Sequence, residues 1–91
     1  MSTYIIAYDV AADQNSQAVY NQLYDIIRSY GTWARITESC WAVLTNRTAV
    51  EVRDALLAVM RRTDRLMVIQ VVRNAAWNNI ICDSNWLERN V

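Results

Sequence analysis

Asp9 closes the apolar stretch Thr3 to Val10 (TYIIAYDV), so the chain delivers a carboxylate to the end of a strand. A run rich in Tyr, Ile and Val suits a pleated surface covered on both faces. An ionisable group where such a strand leaves the sheet is the first candidate for chemistry. The protein has no His, which removes imidazole acid–base work, His-activated nucleophiles and His metal ligands together. Asp, Glu, Arg, Tyr, Ser and Cys remain. Every cation in the chain is Arg, the side chain suited to bidentate contact with phosphate or carboxylate. Arg47 and Arg65 are the candidates for phosphate contact, with ion pairing to the aspartates as the other reading. Asp13 is read as a helix-entry residue and Asp64 as a turn residue.

These residues need elements to hold them. After the first strand, Asp13, Asn15 or Ser16 can cap a helix over Gln17 to Tyr30, where Val19, Tyr20, Leu23, Ile26, Ile27 and Tyr30 recur at helical spacing. Gly31, the single glycine, is expected to close that helix in a left-handed cap. Thr32 to Thr37 reads as a second strand with Trp33 and Arg35 on one face and Ala34 and Ile36 on the other. Glu38 and Ser39 form the turn, and Cys40 to Thr45 the antiparallel third strand. Thr48 with Glu51 makes a capping box for a second helix whose buried stripe is Val52, Ala55, Leu56, Val59 and Met60. Arg61, Arg62 and Arg65 then oppose the negative end of its dipole. Leu66 to Val72 is the fourth strand. Ile80 to Cys82 suggests a short edge strand, and Asp83 caps a terminal turn carrying Trp86 and Leu87.

The order strand, helix, strand, strand, helix, strand predicts one α+β domain over residues 1–91. It is a ferredoxin-like βαββαβ sandwich with an antiparallel or mixed four-stranded sheet, two helices on one face and a short C-terminal extension. The first and third strands should be central. Asp9 and Asp13 are expected at an edge shared with Thr45, Asn46 and Arg47 and with Asp64 and Arg65. The sheet's other face is apolar but has no helix, which predicts cover by a second protomer or by the C-terminal tail.

Composition points the same way. Apolar residues form 54% of only 91 residues, with four Trp and five Tyr, which fits either a homodimer covering an apolar surface or simply a well-filled core; the small size makes dimerisation the expectation. Nine Arg balance nine acids, so no broad basic footprint marks a nonspecific DNA binder, and any nucleic-acid contact is local. Trp33, Trp41, Trp77 and Trp86 can stack on bases or pack; packing is the reading for Trp41, and an interface or tail role for Trp77 and Trp86. Cys40 and Cys82 form no CxxC pair and are expected as reduced, buried thiols of a cytoplasmic protein. No apolar run approaches membrane-spanning length.

In order and spacing, YIIAYDV, the helix closing at Tyr30–Gly31 (SYGTW), Ser39–Cys40–Trp41 (ESCW), VRDAL, DRLMVI and a Trp-bearing tail resemble the Cas-two-like CRISPR-associated family, related to virulence-associated D proteins and ribonuclease-like antitoxins. The resemblance implies a homodimer packed through its sheets. It also implies a metal-dependent endoribonuclease or nuclease, with Asp9 of each protomer a catalytic ligand of Mg²⁺ or Mn²⁺ and Ser39 a supporting catalytic residue. Mg²⁺ suits that arrangement because it takes hard oxygen ligands and is often held by one or two carboxylates with substrate phosphate. Ala11, Ala12, Asp13 and Gln14 stand where relatives often carry a basic run. The alternative is a non-catalytic dimeric adaptor binding RNA, DNA or a protein partner. A regulatory domain binding a small ligand is the third reading.

Overall fold

A computed structural model describes residues 1–91. Seven elements follow one another: β1 (Ser2–Asp9), α1 (Ser16–Arg28), β2 (Thr32–Thr37), β3 (Cys40–Thr45), α2 (Ala49–Leu57), β4 (Arg65–Gln70) and α3 (Ser84–Asn90). The strands form a single sheet in the order β2-β3-β1-β4 with every neighbouring pair antiparallel, so β1 and β3 are central as expected. This small α+β structure is compatible with a ferredoxin-like arrangement.

Alternation along β1 divides the two faces. Tyr4, Ile6 and Tyr8 join Trp41 and Val43 of β3 in a core with Val19, Leu23 and Ile27 of α1 and Val52 and Leu56 of α2. Both helices therefore lie on that face. Full burial of an aliphatic side chain is worth about 1.5–3 kcal/mol, so Ile6, Leu23, Ile27 and Leu56 are principal anchors. The tyrosines bury their rings and still satisfy their hydroxyls: Tyr4 donates to the Arg47 carbonyl at 2.8 Å and Tyr8 to the Glu38 carbonyl at 3.0 Å.

The opposite face carries Thr3, Ile5 and Ala7 of β1, with Ala34 and Ala42 beside them across the ladder. The tail covers its β2–β3 half. Ile81 and Trp86 line one small cavity with Ala34, Leu87 is buried, and the Thr3 hydroxyl donates to the Asn90 carbonyl at 2.6 Å. The β4 side stays open, with Met67 54% and Ile69 47% exposed.

Local signals account for most element ends. The Thr48–Glu51 capping box is present in both directions, and the Asp83 carboxylate accepts from the Asn85 N–H. Asp13 is the helix-entry residue of α1: its Oδ1 accepts from the Asn15 N–H, and its carbonyl accepts from the Ser16 hydroxyl. Four expectations need correction. Gly31 is not a left-handed cap, because α1 stops at Arg28 and no glycine has a positive φ. Its lack of a side chain matters instead where β2 begins, since a Cβ there would lie 3.3 Å from the Leu44 carbonyl oxygen. The second helix ends at Leu57, and Val59 and Met60 reach the core from tighter turns beyond it. Hence Arg61, Arg62 and Arg65 lie too far along to act on that helix end. Ile80–Cys82 is no strand; one hydrogen bond, from the Ile81 N–H to the Ile36 carbonyl, fastens it to the sheet. No helix is long and apolar enough to cross a membrane.

Candidate functional site

Asp9 is the last residue of β1 and shares the face of Thr3, Ile5 and Ala7, away from α1 and α2. The ladder sets it opposite Arg65, the first residue of β4, and their side chains approach to 3.5 Å with 71% and 84% of their surfaces exposed. An ion pair so open to water holds neither partner firmly. The expected proximity of Asp9 and Arg65 is therefore observed.

Ser39 also comes to this end. Its carbonyl accepts from the Tyr8 N–H at 3.2 Å, which ties the β2–β3 turn to β1. Asp9, Ser39, Glu38, Tyr8, Tyr24 and Arg35 line one open groove of about 450 Å³. Burial pushes the Tyr8 hydroxyl up to about 12, an effect that the Trp41 indole N–H, donating at 2.9 Å, only partly offsets. Tyr8 therefore remains protonated at neutral pH and can donate hydrogen bonds, but it supplies no base.

Arg47 lies elsewhere. In antiparallel strands the end of β3 meets the start of β1, and Thr45 pairs with Ser2, so Thr45, Asn46 and Arg47 occupy the sheet end remote from Asp9. The expected shared edge held only for Asp64 and Arg65. Arg47 instead approaches Glu51 to 3.6 Å, one turn along α2.

Asp13 and Asp64 meet through Arg61. The Asp64 side chain is fully enclosed, and its oxygens accept from the Ala11 N–H and the Arg61 N–H, each at 2.8 Å. The Arg61 guanidinium reaches Asp64 at 3.3 Å, Asp13 at 2.5 Å and the Ala11 carbonyl at 2.8 Å. Burial alone would push the Asp64 carboxyl up; the two backbone donors and Arg61 outweigh it and hold the group below its ordinary value. Asp13 is likewise held low, chiefly by its hydrogen bonds from Arg61. This clamp joins the β1–α1 loop to the α2–β4 loop, making Asp64 more than a turn residue. A strand-end carboxylate and an arginine cluster were both visible in the sequence, but their meeting is a tertiary fact.

The sequence pattern places Arg35 only on one face of β2. It enters the groove because it shares the helix-facing side with Trp33, and its guanidinium lies 5.1 Å from the Tyr24 ring centre and 5.2 Å from that of Trp41. Its place in the Trp-x-Arg alternation was the available signal. Cys40 and Cys82 are unbridged, and burial pushes both thiols up, which suppresses the reactive thiolate.

The donor set fits a divalent ion only in part. Asp9 offers a hard, accessible carboxylate, but no three acid or Cys side chains gather anywhere in one chain. Further oxygen ligands would have to come from a carboxylate of another copy or from a substrate phosphate, with Arg65 turned aside.

No family model matches the sequence. Among solved structures, a hypothetical protein, TT1823, from Thermus thermophilus is similar over 87% of this chain and 93% of its own, with a TM-score of 0.64 and 21% identity. At that identity the likeness concerns the fold alone: this arrangement of strands and helices is shared with the Thermus protein.

Proposed function

We propose that this chain is a Cas-two-like, ferredoxin-like protein that works as a homodimer and acts on phosphodiesters, with Asp9 of each protomer as catalytic residue and as ligand for Mg²⁺ or Mn²⁺. One observation carries the reading: Asp9 ends a central strand on the sheet face that α1 and α2 leave uncovered, on the side where Met67 and Ile69 remain exposed. A second copy covering this apolar surface would bring another Asp9 into the neighbourhood, adding the carboxylate that one chain lacks. Bound there, the metal would supply charge stabilisation at the phosphate. Ser39 and Arg65, which flank Asp9, are the residues available to orient an RNA or DNA backbone. Arg47, at the remote end, has no part in this chemistry within one chain.

Purified protein is incubated with single- and double-stranded RNA and DNA in Mg²⁺ or Mn²⁺, and wild type is compared with Asp9→Ala. Cleavage that requires Asp9 and a divalent ion is the expected result. Equal cleavage by both proteins, or a monomer in sedimentation at micromolar concentration, sinks the shared-site mechanism.

One observation favours a second reading, the non-catalytic dimeric adaptor. Arg65 sets a positive charge 3.5 Å from the carboxylate that would hold the cation. A stoichiometric partner copurifying from the native host, with no cleavage of any substrate, would select it.

A further inference from the structure

Between α1 and the edge strand β2, two arginines converge on the same pair of aromatic rings. The Arg28 guanidinium lies 5.5 Å from the ring centre of Tyr24 and 5.8 Å from that of Trp41. Arg35 lies 5.1 and 5.2 Å from the same two centres. The rings stabilise each cation through their negative faces, but they carry no net charge to cancel the repulsion between them. Neither guanidinium has a carboxylate in ion-pair contact. The five ion pairs of the protein use Arg47, Arg53, Arg61 and Arg65, and neither Arg28 nor Arg35 takes part.

Their donors are also underused. Arg35 spends only Nη2, on the Tyr24 hydroxyl at 3.2 Å and the Glu38 carbonyl at 2.9 Å, while its Nε is enclosed without an acceptor. Arg28, exposed at the last turn of α1, makes no side-chain hydrogen bond. Beside Arg28, at 5.8 Å, stands the Trp33 indole, 41% exposed. A part-exposed indole beside one guanidinium, with a second guanidinium on the neighbouring rings and no ion-pair partner for either, matches a planar ring joined to a dianion.

From this juxtaposition we infer that Arg28, Arg35 and Trp33 form a binding site for a phosphate monoester carried on a nucleobase unit, either a free nucleoside 5′-monophosphate or the 5′-phosphorylated end of a single strand. A phosphomonoester bears about −1.5 to −2 charges at neutral pH, balancing the two arginines, where a diester bears one. Charge-assisted hydrogen bonds from the guanidiniums hold the phosphate, and the indole stacks on the base. Arg35 and Asp9 line the same groove, but this site needs no metal, so binding in a chelator tests it separately from the cleavage proposed above.

Calorimetric titration of the full chain in EDTA tests it with five probes: adenosine 5′-monophosphate, adenosine, inorganic phosphate, and a short single-stranded DNA with and without a 5′-phosphate. Binding by a phosphorylated probe is expected, weakened about tenfold or more by Arg28→Gln and by removal of the 5′-phosphate. Arg47→Gln, at the remote end of the sheet, should bind as wild type does. The free nucleotide and the strand, titrated separately, show which source the site takes. Arg28→Gln carries the test even if Arg35→Gln fails to fold, because Arg28 is exposed; circular dichroism checks each variant. No binding by either phosphorylated probe, equal binding without the phosphate, or unchanged binding by Arg28→Gln overturns the site. Inorganic phosphate binding as tightly as the nucleotide, or Trp33→Ala binding as wild type does, overturns the part given to the ring.

Discussion

Replacing Asp64 by Asn isolates what the clamp contributes. The side chain is enclosed and accepts from two backbone N–H groups, those of Ala11 and Arg61, besides pairing with the Arg61 guanidinium. Asn keeps one carbonyl oxygen and turns an NH₂ toward the other donor, so one backbone N–H loses its acceptor and meets a like group. A buried donor left unpaired costs about 1–3 kcal/mol, and loss of the solvent-screened ion pair adds at most about 1 kcal/mol. The expected destabilisation is about 2–3 kcal/mol in urea denaturation at pH 7, which is about 10–20 °C in melting temperature for a domain of this size. The pH dependence provides a second readout. Because the native Asp64 carboxyl is held below its ordinary 3.8, its contribution is fully present above that value. It is lost as pH falls from the unfolded value to the lower native one. Wild type should therefore converge on Asp64→Asn as the solution is acidified through this window. A variant as stable as wild type at pH 7, or a gap of unchanged size well below pH 3.8, would refute the clamp.

Tyr8→Phe deprives the buried Trp41 indole N–H of its acceptor at 2.9 Å and should lower unfolding free energy by about 1–3 kcal/mol, measured by denaturation. Thr48→Ala removes half of the α2 capping box and should cost about 1 kcal/mol, visible as a lower melting temperature. Ile69→Glu puts a charge on the open half of the sheet, so sedimentation should find the proposed dimer shifted to monomer, with the melting curve showing whether the fold survives. Arg65→Gln frees Asp9 of its exposed partner; it should leave the denaturation midpoint unchanged and strengthen Mn²⁺ binding by calorimetry. Arg47→Gln should leave Mn²⁺ binding as it is.

Elements whose signals are local were legible in the sequence. The Thr48–Glu51 box, the 3.6-residue stripe Val19–Leu23–Ile27 and the alternation of Trp33 and Arg35 against Ala34 and Ile36 each depend on neighbours within a few residues. Gly31 misled because a glycine after a helix has two distinct uses, a left-handed backbone and a close approach, and only the position of Leu44 decides between them. Arg47 misled through strand direction: the order of elements was right, but in an all-antiparallel sheet β3 ends where β1 begins. The Asp13–Arg61–Asp64 clamp spans 48 residues between Asp13 and Arg61, beyond the reach of any periodicity. Asp9 and Ser39 come together because the β2–β3 turn lies beside the end of β1 in this sheet, the reverse of the expected strand direction; only the family resemblance had linked the two residues.

The clamp also explains how Asp9 can be well placed yet unencumbered. Chemistry at a strand end needs a fixed backbone and a free side chain, demands that conflict if one residue must meet both. Here they are divided. Asp64 and Arg61 bind the Ala11 N–H and carbonyl two residues beyond Asp9, and Ser39 binds the Tyr8 N–H one residue before it. The backbone is thus held on both sides while the carboxylate itself meets only an exposed guanidinium. Asp13, four residues along, is the reverse case: its carboxylate is consumed by Arg61 and the Asn15 N–H. Of the two acids flanking the β1 exit, geometry leaves Asp9 available to a ligand and assigns Asp13 to the scaffold.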